Sequence, residues 1–131
     1  MLNLSMKMKG SHSGDHKMNS ITNLLFTLKG CSSEKIDNKR QIFELLEDLT
    51  KLFNSKVVHR AHKYYTSHGI TVCFFLSTSH IIYSSWPEYD LVLLEISTCT
   101  KCPGLNKVKH LLTQAIGCQK IFIKSMELKL K

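Results

Sequence analysis

A chain of 131 residues, 43% hydrophobic and 21% charged, suits one domain around a single two-layer core and is too apolar for wholesale disorder. Its net charge of +8 comes from 18 Lys+Arg against 10 Asp+Glu, scattered from Lys7 to Lys131 with no run of five basic residues, so no nucleic-acid partner is expected. No stretch approaches the roughly 18 apolar residues of a membrane span, the start lacks the apolar core of a secretory signal, and five cysteines form no dense framework, so a soluble cytoplasmic protein with no membrane contact is expected.

Residues 1–19 are rich in Ser, Lys, Met, Gly and His without periodicity and read as a flexible N-terminal extension, which leaves 20–131 as the domain. Residues 21–28 form a short apolar run stopped at Gly30, a strand pattern. Asp37 is a candidate cap for an amphipathic helix over 37–53, where Ile42, Leu45, Leu46, Leu49, Leu52 and Phe53 follow spacings of three and four. Residues 57–65 read as a strand and 67–69 as a turn. The nearly continuous apolar run over 70–76 predicts a strand buried on both faces. Strands over 79–84 and 91–96 follow, joined through Trp86 to Asp90. Pro103 and Gly104 open a second amphipathic helix, carrying Leu105, Val108, Leu111, Leu112, Ala115 and Ile116 and stopped by Gly117. A short strand over 120–124 closes the chain.

This order predicts an α+β two-layer sandwich, with a mainly antiparallel sheet and two helices on one face. The other face is left for solvent or a partner, and its apolar and aromatic residues favour a partner.

The most informative segment runs Thr-Ser-His-Ile-Ile-Tyr-Ser-Ser-Trp-Pro-Glu over residues 78–88, with Cys99 twenty positions after Ser79. It resembles the self-cleavage segment of the prokaryotic S-adenosylmethionine decarboxylase proenzymes, whose motif is Glu-Ser-His-Ile-x-x-His-x-Trp-Pro-Glu. In order along the chain, Gly30-Cys31 resembles the end of that family's first strand, Gly69-Ile70-Thr71 its Gly-Val-Ser, and Ser97-Thr98-Cys99 its Phe-Thr-Cys. The resemblance covers about residues 20–128.

Decarboxylating an amino acid requires an electron sink for the developing carbanion. The resemblance implies that the sink is a pyruvoyl group made from Ser79 by self-cleavage between Thr78 and Ser79, and that it holds substrate as a Schiff base. In such chemistry the serine hydroxyl attacks the preceding carbonyl to give an ester, and elimination then leaves the new N-terminus. The resemblance further implies that Cys99 is the proton donor and Thr71 supplies a processing hydroxyl. Tyr65 would stack on adenine and Glu88 would hold the ribose hydroxyls, with His80 and Trp86 in support.

Position 84 would hold the processing histidine, but it is Ser84, and Thr78 stands where the family has glutamate. Asn23 and Glu95 replace a histidine and an aspartate. Because a neutral hydroxyl is a poor base, slow or absent cleavage is expected. His80 shares a strand face with position 84, which leaves open a relayed part for it.

Cys99 and Cys102 in a Cys-x-x-Cys spacing lack the second pair that a structural zinc site needs, and His59 and His62 at i and i+3 of a strand face opposite ways; no metal is expected. A thioredoxin-like pair does not fit the preceding pattern. The leading expectation is therefore a pyruvoyl-dependent decarboxylase of S-adenosylmethionine serving spermidine synthesis. Its resemblance implies a homodimer with sites at the interface, Ser79 and Cys99 from one chain and Tyr65, Thr71, Ser84 and Glu88 from the other. The alternatives are a related decarboxylase of ornithine or arginine, or an unprocessed, non-catalytic homologue acting as a partner protein.

Overall fold

A computed structural model describes residue 18 and residues 20–130. The flexible extension expected over 1–19 lies, apart from Met18, outside these described residues. The elements in chain order are β1 (Ser20–Lys29), α1 (Ser33–Ile36), α2 (Lys39–Leu52), β2 (Val57–Tyr64), β3 (Ile70–Leu76), β4 (Ser79–Trp86), a 3-10 turn (Pro87–Tyr89), β5 (Leu91–Thr98), α3 (Leu105–Ile116) and β6 (Lys120–Lys129). The six strands form one sheet in the order β2-β3-β4-β5-β1-β6, and every neighbouring pair is antiparallel. The expected α+β two-layer sandwich is the architecture found.

Strand alternation divides the sheet into two unlike faces. On one, Leu24, Phe26, Leu28, Val72, Phe74, Ile81, Tyr83, Val92, Leu94 and Ile96 are buried. They pack with Ile42, Leu45, Leu46 and Leu49 of α2 and Val108, Leu112 and Ile116 of α3, the side chains whose spacing of three and four gives each helix one apolar stripe. The edge strand β2 joins the same layer: Arg60 pairs with Glu47 of α2 and lies over the Phe74 ring, while His62 packs edge-on against Phe43.

The opposite face has no covering layer among the described residues. Thr71 and Cys73 are half-buried, and Phe75 is 48% exposed. The burial on both faces expected for β3 is therefore not met within one chain; the apolar run alternates in environment because helices lie on one side only. Phe122 and Met126 of β6 and Trp86 of β4 extend this open apolar face.

Two local expectations change. Asn38, not Asp37, caps α2, its Oδ1 accepting from the Gln41 N–H at 3.0 Å. Asp37 instead accepts from the Ser85 hydroxyl at 2.9 Å and from the Gly69 N–H at 3.2 Å, pinning the β2–β3 turn to β4. Gly69 sits at φ +105°, where a Cβ would lie 2.9 Å from the Ser85 carbonyl oxygen, so the latch requires glycine.

Candidate active site

The β3–β4 hairpin reverses through only two residues, Ser77 and Thr78, with Leu76 paired to Ser79. Tight two-residue hairpins favour Gly or Asn at positive φ, because that twist matches the flanking strands. Neither turn residue here adopts it; Ser79 does, at φ +142°. The reversal is thus completed by a non-glycine residue in a sparsely populated conformation, which costs about 1–3 kcal/mol.

The surroundings hold this residue in place. The Thr78 side chain is buried, and its hydroxyl donates to Ser55 Oγ at 2.7 Å. Ser55 Oγ shares a 3.2 Å hydrogen bond with Ser77 Oγ, and the Ser77 N–H donates to the Lys56 carbonyl at 2.9 Å. The hairpin is therefore tied to the loop after α2. Across the sheet, Thr98 of β5 pairs with Ser79, and the next amide, the Cys99 N–H, donates to the Thr78 carbonyl oxygen at 3.0 Å.

Ser79 Oγ lies 3.2 Å from His80 Nδ1. In a regular strand adjacent side chains face opposite ways, yet these two polar atoms come within hydrogen-bond distance at the start of β4. Burial pushes the Cys99 thiol above its ordinary range, so it keeps its proton near neutral pH. A groove of about 490 Å³ opens beside it, lined by Cys99, Cys102, Thr22 and Met126 among others.

A second cluster lies at the far end of the open face. Thr71 and Ser84 are cross-strand partners, with their hydroxyls sharing a hydrogen bond at 2.9 Å; Tyr65 OH shares another with Thr71 Oγ1 at 2.9 Å. Tyr65 is half exposed. Trp86 ends β4, and in the following 3-10 turn the Glu88 carboxylate stands 3.8 Å from His68 Nε2. Ser79 and Ser84 are five positions apart on one strand, roughly 17 Å at about 3.3 Å per residue. One chain therefore brings Thr78, Ser79, His80 and Cys99 together, and Tyr65, Thr71 and Ser84 together, but not the two groups.

Sequence reasoning missed the Ser55–Ser77 tether, the Asp37 latch and the Cys99 main-chain donor. The first two join loops distant in sequence, and the third depends on β4–β5 register. His59 pairs with Phe75 on the open face and His62 points toward α2, as their spacing required. Among the described residues no group of three His, Cys, Asp or Glu side chains is arranged to hold a metal ion, and no helix is long and apolar enough to cross a membrane.

The fold has known counterparts. The crystal structure of the adenosylmethionine decarboxylase from Aquifex aeolicus VF5 superposes with a TM-score of 0.74 at 25% identity, covering 88% of this chain and 95% of that one. An S-adenosylmethionine decarboxylase proenzyme of Clostridium botulinum strain Langeland is 29% identical over 103 residues, which is 79% of this chain and 89% of that protein. The proenzyme of Aquifex aeolicus is 34% identical over 76 residues, 58% of this chain and 56% of its own. The family model described as S-adenosylmethionine decarboxylase matches residues 22–128. The chain belongs to the S-adenosylmethionine decarboxylase family.

Proposed function

We propose that this chain is a pyruvoyl-dependent decarboxylase of S-adenosylmethionine that acts in spermidine synthesis after cleaving itself between Thr78 and Ser79. The observation that carries the reading is Ser79 at φ +142° with the preceding carbonyl on the Cys99 N–H. Such a peptide is primed for attack by its own hydroxyl: cleavage relieves backbone strain, and the amide donor stabilises the oxyanion that forms. These residues fit a pyruvoyl group built from Ser79, which supplies a carbonyl as electron sink when carbon dioxide leaves.

The chain's own side chains then have separate tasks. The protonated Cys99 thiol returns a proton to the substrate carbon. Tyr65 offers a ring face to adenine, and Glu88 a carboxylate to the ribose hydroxyls. Both are at the far end of the open face, which supports a homodimer. A second copy packed sheet to sheet, with its two-fold axis crossing β4 near Ile82, brings Ser84 and Tyr65 of the partner subunit to Ser79. The same packing covers Phe75, Trp86 and Met126, which are 48%, 36% and 63% exposed in one chain.

One observation favours a second reading. Ser84 lies in a chain of hydroxyls with Thr71 and Tyr65, and none of the three is a base near neutral pH. A chain arrested at this point is an unprocessed partner protein. Release of carbon dioxide from carboxyl-labelled S-adenosylmethionine, with ornithine and arginine in parallel, tests the function. Release from S-adenosylmethionine alone is expected. Release from ornithine or arginine instead overturns the substrate, and release from none supports the second reading.

A further inference from the structure

We propose that His80 is the catalytic base of the first step of self-cleavage, the transfer of the Thr78 acyl group from the Ser79 nitrogen to the Ser79 hydroxyl oxygen. The inference rests on cleavage at Thr78–Ser79 and assigns a residue to a step that Ser84 cannot perform.

Three observations meet at one peptide. His80 Nδ1 is 3.2 Å from Ser79 Oγ, within reach for proton transfer. The strained φ of Ser79 is the torsion about its N–Cα bond, next to the Thr78–Ser79 peptide that would be cleaved. The carbonyl oxygen of Thr78 already accepts from the Cys99 N–H at 3.0 Å. Base and nucleophile at the start of β4 and the oxyanion donor just after β5 therefore come from a single chain, with no contribution from a second copy. His80 is half-buried between its cross-strand partners Phe75 of β3 and Ser97 of β5, and it lines an open-face hollow of about 470 Å³ with Glu95 of β5 and Lys124 of β6.

The step balances without any co-reactant. With the imidazole proton on Nε2, Nδ1 accepts the Ser79 hydroxyl proton as Oγ bonds to the Thr78 carbonyl carbon. The carbonyl π pair moves to the oxygen held by the Cys99 N–H. When the tetrahedral centre collapses, the C–N bond breaks, and the Ser79 nitrogen takes back the proton from Nδ1. The product is an ester between Thr78 and Ser79 Oγ with a free α-amine on Ser79. The later elimination needs a base at the Ser79 Cα, and the hydroxyl at position 84 is a poor one. The two steps of cleavage thus depend on different residues and are separable by experiment.

Hydroxylamine separates them because it cleaves esters and spares ordinary amides. Full-length chain made by cell-free synthesis, so that cleavage is timed from the start, is incubated with hydroxylamine at neutral pH and followed by intact mass. The expected result is a 1–78 piece ending in a hydroxamate and a 79–131 piece beginning with serine. His80→Asn and His80→Gln each slow this cleavage by about 100-fold or more, melt as the parent does, and are partly restored by added imidazole. Cleavage of both variants at the parental rate overturns the role of His80 and leaves self-cleavage standing. Slow cleavage with lowered melting and no imidazole rescue also overturns it, making His80 a structural residue. No cleavage of the parent or of a Ser84→His chain, with or without hydroxylamine, removes self-cleavage itself and the His80 step with it.

Discussion

The main-chain N–H of Cys99 donates to the carbonyl oxygen of Thr78 at 3.0 Å, so the cysteine proposed to protonate substrate also holds the carbonyl proposed to be cleaved. The two roles use different atoms. The amide survives any side-chain replacement except proline, whereas the proton is carried by the thiol. Cys99→Ala is therefore expected to keep cleaving after Thr78 while decarboxylation falls by about 10²–10⁴-fold. Intact mass reads the first outcome and labelled carbon dioxide the second. Equal loss of both would show that the thiol itself serves cleavage.

Backbone strain at Ser79 can be measured without the chemistry it promotes. Ser79→Ala and Ser79→Gly both remove the hydroxyl, and only glycine adopts φ +142° at little cost. The strain of about 1–3 kcal/mol, less the extra chain entropy of glycine, leaves the Gly variant about 1 kcal/mol more stable. Urea unfolding of the two uncleavable chains checks this. An alanine variant as stable as the glycine variant would show that Ser79 stores no strain.

In the proposed sheet-to-sheet dimer Ile82, half-buried at the middle of β4 on the open face, lies close to its own copy. Ile82→Asp would bring two carboxylates together in an apolar interface, which is strongly unfavourable. The parent is expected to sediment at twice the single-chain mass of 15.0 kDa and the variant at that single mass, with pyruvoyl formation reduced. Parent and variant of the same mass would contradict the proposed axis.

Cys31 ends the turn after β1, where burial, with the nearby Cys118 and Asp90, pushes its thiol from 9.0 up to about 12. The folded state thus holds a proton that the unfolded chain releases above about pH 9. Its contribution to stability is fully present below that pH and declines as pH rises toward 12, by about 1.4 kcal/mol per pH unit at most. Buried Tyr83, whose hydroxyl donates to the Ile36 carbonyl at 2.7 Å, is raised for the same reason and adds to the decline from about pH 10 upward. Cys31→Val is expected to flatten the stability profile between pH 9 and the onset of the tyrosine contribution. An unchanged slope in alkaline unfolding titrations would contradict this.

Both long helices were legible because their apolar residues recur at three and four, and the motif over 78–88 identified the family. The four-residue helix Ser33–Ile36 is too short to show a period. The strand β6 runs on to Lys129, beyond the expected end at 124, because its mixed Lys, Met and Glu residues suit an edge strand that packs on little. Asp37 resembled a cap by position and became a latch because Gly69 and Ser85, both remote in sequence, offered it donors. The contact between Ser79 and His80 could not be read from the sequence at all. The alternation rule argues against it, and only the structure shows the two atoms 3.2 Å apart.

Cleavage at Ser79 is tested most directly by the intact mass of the purified full-length chain, followed over time beside a Ser84→His variant. Slow conversion of the parent into two pieces joined originally at Thr78–Ser79 is expected, with faster conversion in the variant, whose imidazole supplies the base that position 84 lacks. A single uncleaved mass for both chains, unchanged on prolonged incubation, would contradict it.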